Sequence, residues 1–287
     1  MNASQPPDSR WQRAQLLREM GFSPQWRLRQ QPAVGRQPSV VLADATRAGL
    51  HQQAVEQARP LPGGASADVP SAARTERTER TERAEQIARL GWDELAESVA
   101  ACRACGLCEQ RRQAVLGVGD HGADWLFIGE GPGAEEDARG EPFVGPAGKL
   151  LDAMLAAIDL RRGADVYIAN AVKCRPPSNR TPEAVEMVAC APYLRRQIEL
   201  IQPRLIVLLG RAAAHALLGD VGSLASLRGR PLEYREGAGG GVAIPVVVTY
   251  HPAYLLRTLP DKAKAWEDLC RARTLMRTAK GAATRPA

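Results

Sequence analysis

The sequence has no run approaching the roughly 18 apolar residues of a membrane span, so no spanning helix is expected. Its start, with Pro6, Pro7, Asp8 and Ser9, lacks the basic-then-apolar layout of a secretory leader. A cytoplasmic location is therefore expected. A Walker phosphate loop is also missing, because Gly148-Lys149 is followed by Leu150 and the Gly-x-x-x-x-Gly-Lys-Ser/Thr pattern does not occur. Cysteine is scarce, with six in 287 residues. In a reducing compartment, clustered cysteines read as metal ligands or reactive thiols rather than as disulfides.

What the sequence does have is an excess of positive charge. The net charge of +6 and a pI near 9.2 favour an anionic partner such as nucleic acid without identifying one. A length of 287 residues accommodates one well-cored α/β domain and accessory sequence. The organisation changes near residue 90. Residues 1–35 form an Arg- and Trp-rich tail in which Ser9 is placed to cap a helix over 10–20 and Gly21 to end it. Such a tail suits docking on a partner protein or on DNA, or packing back on the core. Residues 36–90 read as a low-complexity, mostly disordered linker, whose Thr-Glu-Arg triplet, three times over 75–83, has the charge pattern of a transient solvated helix. Residues 91–280 carry the folded domain, and 281–287 are expected to be disordered.

Within that domain, apolar runs at 125–128, 166–169, 205–209 and 246–248 alternate with helix-like stretches at 148–158, 182–200, 212–218 and 261–277. Alternation of this kind predicts a three-layer α/β/α fold around a four-stranded parallel sheet. Ligands of such sheets bind beyond the carboxyl ends of the strands. The motifs fall there: Gly129-Glu130-Gly131-Pro132-Gly133 follows the first strand, Asn170 and Cys174 the second, and His251 the last. The glycine loop lets backbone approach a ligand, and equally suits a tight turn. Cys102 and Cys105 form a C-x2-C pair, while Cys174 and Cys190, with 15 residues between them, lie on another segment. Four thiolates converging from two segments suit zinc or a four-iron cluster. Cys108 extends the pair into a ferredoxin-like C-x2-C-x2-C run, and Cys270 reads as a buried apolar residue.

Taken in order, Cys102-x-x-Cys105, the Gly129–Gly133 loop, Pro142-Phe143-Val144-Gly145, the segment from Asn170 through Lys173, Cys174 and Arg175 to Pro177, Cys190, and His251-Pro252-Ala253-Tyr254-Leu255-Leu256-Arg257 resemble the family 4 uracil-DNA glycosylases. The resemblance covers roughly residues 95–275. It implies a uracil-DNA glycosylase-like fold and a monofunctional, monomeric DNA repair enzyme. Such an enzyme hydrolyses the N-glycosidic bond of uracil in single- or double-stranded DNA after flipping the base, and leaves an abasic site. It also implies a [4Fe–4S] cluster on Cys102, Cys105, Cys174 and Cys190, with Cys108 a spare thiol.

The same resemblance places Gly131, Phe143, Asn170 and His251 around the uracil. Phe143 would stack on it, Asn170 read its O4 and N3–H, and His251 donate to O2 as the bond breaks. Family 1 uracil glycosylases carry an Asp where Gly131 stands, so the catalytic carboxylate is missing from its usual place. Glu130 is the preferred substitute, and Glu136 the other available carboxylate. Tyr254, Leu255 and Leu256 suit an apolar wedge entering the duplex, and Arg257 with Lys173 or Arg175 suits phosphate contacts. The tail would reach a repair or replication protein. Two other readings are a non-catalytic or covalently trapping uracil binder and an iron–sulfur or zinc interaction module. Related trapping proteins carry a His-containing insertion after the second strand, and Cys174-Arg-Pro-Pro-Ser-Asn-Arg-Thr is short and has no His.

Overall fold

The computed structural model describes residues 71–219, 222–235 and 243–283. The tail with its expected helix over 10–20, and most of the linker, lie outside the described residues. All four expected strands are present as β2 Trp125–Gly129, β3 Val166–Asn170, β4 Leu205–Leu209 and β6 Ile244–Thr249, joined by two short strands, β1 Val118–Gly119 and β5 Leu232–Tyr234. The sheet runs β1-β3-β2-β4-β6-β5. Its centre is parallel, and the two edge strands are antiparallel, pairing Val118 with Ile168 and Leu232 with Val246. The expected parallel sheet is thus the core of a mixed one. Strands of two and three residues are too short to leave a periodicity in sequence.

The helices are α1 Ser71–Ile87, α2 Trp92–Ala101, α3 Ala134–Arg139, α4 Pro146–Ala157, α5 Ala184–Ile201, α6 Arg211–Leu218, α7 Leu224–Leu227, α8 Pro252–Arg257 and α9 Lys262–Ala283. Side chains alternate across each strand, so β2 sends Trp125 and Phe127 to one face of the sheet and Leu126 and Ile128 to the other. The first face packs on α4, α8 and α9 through Leu151, Met154, Leu155, Leu255 and Leu269. The second packs on α5 and α6 through Leu194, Ile198, Ala213 and Ala214. β2, β3 and β4 are buried along their whole length, which is why they read as unbroken apolar runs.

Two differences from the sequence reading concern element ends. α5 starts at Ala184, with Glu183 as N-cap rather than with Pro182, because Glu186 Oε2 accepts from Glu183 N at 2.7 Å. α9 continues to Ala283, into the stretch expected to be disordered. A larger difference lies in the linker. Its last part, including the Thr-Glu-Arg triplets, is α1, and Ile87 is buried in a third apolar cluster with Leu95, Val99, Cys174 and Cys190. The helix is held by that contact, which a composition-based reading does not contain.

Candidate active site

The carboxyl ends of the central strands open onto a cavity of ≈ 1020 Å³ whose walls include Glu130, Gly131, Phe143, Asn170, His251 and Arg257. Asn170 ends β3 with 2% of its surface exposed, and its Oδ1 is buried without a hydrogen-bond partner. An unmet buried acceptor costs about 1–3 kcal/mol, so this atom is poised to receive a donor. Gly129, in register with Asn170, keeps the approach open: a β-carbon there would lie 2.5 Å from both Asn170 Oδ1 and Phe143 Cζ.

Phe143 is held at φ +57°, a strained region for a bulky side chain. The strain is sustained by Arg162, which donates from Nη1 and Nη2 to the carbonyls of Pro142 and Phe143 at 2.8 Å each and pairs with Asp152 at 2.9 Å. A side chain at Gly148 would overlap the Phe143 carbonyl. The Phe143 ring is thereby set 5.4 Å from the His251 ring, at 30°. Glu136 ties the loop to the glycine turn: Oε2 accepts from Gly133 N at 3.1 Å, and Oε1 from Val144 N at 3.0 Å and Gly145 N at 3.2 Å. Its carboxylate thus accepts three backbone N–H groups while lining the same cavity. Glu130 lines the cavity with no such carboxylate bonds among the described residues. At Gly131 a β-carbon would meet Val172 Cγ2 at 2.7 Å, so any side chain there would have to displace Val172.

His251 caps α8, and its Nδ1 accepts from Ala253 N at 3.2 Å. With Nδ1 an acceptor, the neutral ring carries its proton on Nε2. Burial, with the charge of Arg257 adding to it and Glu136 opposing, pushes the His251 pKa down to about 4. The ring is a neutral donor at ordinary pH.

Two of the expected DNA contacts are corrected by burial. Leu255 is 1% exposed and belongs to the core under the sheet, so it cannot enter a duplex, and Leu256, 43% exposed, is the apolar tip of this turn. Lys173, 1% exposed, donates from Nζ to Asn170 O at 2.8 Å and Gln197 Oε1 at 2.5 Å, and no phosphate reaches it. Arg257 is exposed at the cavity mouth. Tyr254 also lines the cavity, its hydroxyl donating to Asp261 at 2.7 Å and its ring stacked on Tyr250. Arg175 is half-buried and bonds Asn179 Oδ1 at 2.7 Å.

Behind the cavity, Cys174 and Cys190 are buried, and Cys102 and Cys105 pack against the same cluster. Donors surround the sulfurs: Arg111 Nη1 lies 2.8 Å from Cys174 Sγ, Lys173 N 3.3 Å from Cys190 Sγ and Arg83 Nη2 3.4 Å from Cys102 Sγ. Burial pushes the Cys190 thiol up to about 12 and raises Cys105 and Cys174. At Cys102 burial opposes, but the Ala104 amide, Tyr193 and Arg83 prevail and lower the pKa. Lys173 forms no ion pair among the described residues, and burial lowers it to about 8. Two guanidinium groups and a backbone amide donating to three of the sulfurs, with the buried Lys173 nearby, form a place suited to negative charge. No group of three His, Cys, Asp or Glu side chains among the described residues is arranged to hold a single metal ion. Cys270, expected to be buried, is half-buried on α9. Arg83, Arg111 and Arg162 escaped the sequence reading. Only Arg111, close after Cys108, carried a signal in its position.

A slot with an aromatic wall, an amide at its end and an imidazole N–H at its side accepts a planar heterocycle bearing both donor and acceptor edges. A sequence model of the uracil DNA glycosylase superfamily matches residues 116–270, over half the chain, and the chain belongs to that superfamily. Within it, the chain is 44% identical over 168 residues to the type-4 uracil-DNA glycosylase of Archaeoglobus fulgidus, covering 57% of this chain and 82% of the relative. It is 42% identical over 186 residues to that of Thermotoga maritima, covering 64% and 93%. A type-5 uracil-DNA glycosylase of Pyrobaculum aerophilum is less similar, at 32% over 152 residues, covering 48% and 64%. These likenesses narrow the family to type 4. No helix among the described residues is long and apolar enough to cross a membrane.

Proposed function

We propose that this protein excises uracil from DNA by hydrolysing its N-glycosidic bond and leaves an abasic site. The observation that carries the reading is the unpartnered Asn170 Oδ1 at the end of the slot between Phe143 and His251. Uracil presents N3–H to that oxygen and O4 to the amide N–H, whereas cytosine reverses both and leaves two buried groups unmatched. The flipped base lies on Phe143, and Leu256 fills the space it vacates in the stack. As the bond breaks, negative charge grows on O2. His251 Nε2–H, neutral and pre-aligned by Ala253, meets it there, a type of contact that contributes about 3–4 kcal/mol in other enzymes. Glu130 orients water toward the sugar carbon and opposes its positive charge, and Arg257 and Arg175 hold phosphates.

Cys102, Cys105, Cys174 and Cys190 fit a [4Fe–4S] cluster because the surrounding cations favour an anionic group and burial disfavours bare thiolates. Bound there, the cluster supplies negative charge and cross-links the α2 end, the Cys174 loop and α5. The protein acts as a cytoplasmic monomer, and the tail, residues 1–35, is its contact to a repair or replication protein, a reading resting on composition alone. The test is alkali-dependent strand cleavage of oligonucleotides with one uracil opposite guanine, opposite adenine or in single strands, beside Asn170→Ala and His251→Ala. Breaks that require uracil and alkali, and fall at least about 100-fold in both variants, support the reading. Uracil-dependent binding without breaks would transfer it to a trapping or reader protein.

A further inference from the structure

Lys173 sits in the longest motif of the sequence, yet its ammonium is buried and faces neither solvent nor the cavity. Its main chain is pinned on both sides: Lys173 N donates to Cys190 Sγ at 3.3 Å, and Lys173 O accepts from Val115 N at 2.8 Å. Its side chain turns back along β3 and donates to the Asn170 carbonyl at 2.8 Å. Gln197 of α5 receives the other bond at 2.5 Å, and is itself fixed because its Nε2 donates to Leu116 O at 2.9 Å and to Tyr167 Oη at 3.3 Å. Beyond Asn170 the backbone returns to β2 through Ala171 N to Gly129 O at 2.9 Å and Val172 N to Glu130 O at 3.2 Å. The peptide that orients the Asn170 side chain is therefore set by the sheet on one side and by one ammonium on the other.

We infer that Lys173 is a positioning residue, joining the Cys190 side of the cysteine site and the Gln197 network to the carbonyl of Asn170 and so fixing the amide that reads the base. This rests on the uracil-excision reading. A displacement near 1 Å at a reacting group costs on the order of 100-fold in rate, so losing this bond should act on the chemical step and not on DNA affinity.

The experiment is a double-mutant cycle in single-turnover uracil release, using Lys173→Met, Gln197→Met, Asn170→Ala and the two double variants, with iron content and thermal midpoint followed separately. Lys173→Met is expected to lower the rate by about 100-fold with duplex affinity changed less than about threefold. In the Asn170→Ala background the same change is expected to cost less than about twofold, because the atom it positions is gone. Multiplicative losses, or a wild-type rate in Lys173→Met, would overturn the inference. Should Lys173→Met lose iron or fold, Gln197→Met, off the cysteine loop, takes its place with the same expected coupling, and additivity there overturns it equally. No uracil release by the unmodified protein would instead overturn the activity reading, and this inference with it.

Discussion

The base slot and the cysteine site lie on opposite sides of one short segment, Asn170 to Cys174, and are built on opposite principles. The slot is assembled from strand ends and the loops that leave them, and its chemistry is one unmet acceptor, one N–H and one ring. The cysteine site is assembled by side chains reaching from far along the chain, Arg83 from α1 and Arg111 from the loop after Cys108, into a buried apolar cluster. A site that must admit and release a ligand leaves polar atoms unsatisfied. One that holds a permanent group satisfies its surroundings in advance.

The largest effect that separates the two sites is expected from Cys190→Ala. It should abolish iron incorporation and lower the thermal midpoint strongly, since α5 and the Cys174 loop lose their common anchor, while Asn170→Ala leaves both unchanged. Iron retained at wild-type level in Cys190→Ala would remove that residue from the ligand set. Next is the turn after His251. Leu255→Ala should cost about 2–5 kcal/mol of stability as a core truncation, measured by denaturant unfolding. Leu256→Ala should leave stability within about 0.5 kcal/mol and weaken action on duplex more than on single strands. Equal losses on both substrates would refute the wedge.

Smaller again is Arg162→Met. It frees the carbonyls of Pro142 and Phe143 and lets Phe143 relax from its positive φ, so the rate should fall about 10-fold or more while iron content stays. An unchanged rate would show that Gly148 packing alone holds the ring.

The smallest expected effect is in pH. The folded His251 pKa, about 4, lies below the unfolded value near 6.5. Between those values the unfolded chain takes up a proton that the folded ring does not, so stability is full above about pH 6.5 and declines as pH falls toward 4. Comparing thermal midpoints at pH 7 and pH 5, the drop should be smaller in His251→Asn than in wild type. For the same reason the rate should show no acid limb near pH 6.5.

The central strands and the later helices were legible because each depends on local pattern, whereas Phe143, Asn170 and His251 were singled out by the family resemblance, and the fold brings all three to one cavity. Leu255 and Leu256 show where that stops. Both are apolar neighbours in one motif, and only the packing of α8 on the first face of the sheet decides that one is core and the other surface. Lys173 fails in the same way, since a lysine within a basic motif reads as a phosphate ligand until its burial is known. α1 is a third case. Thr-Glu-Arg repeats carry no apolar stripe, and the helix is docked by Ile87 and by the Arg83 bonds to Ala189 O and Cys102 Sγ.

By itself the sequence determined the order of the four central strands and the main helices between them, because side-chain periodicity and turn chemistry act over a few residues, and the ordered motifs it carries resemble one family. The tertiary structure alone decided which charged side chains face inward and which leucine meets solvent. It also determined that Lys173 joins the two sites. Burial and hydrogen-bond partnership are set by segments tens of residues apart, and no local pattern records them.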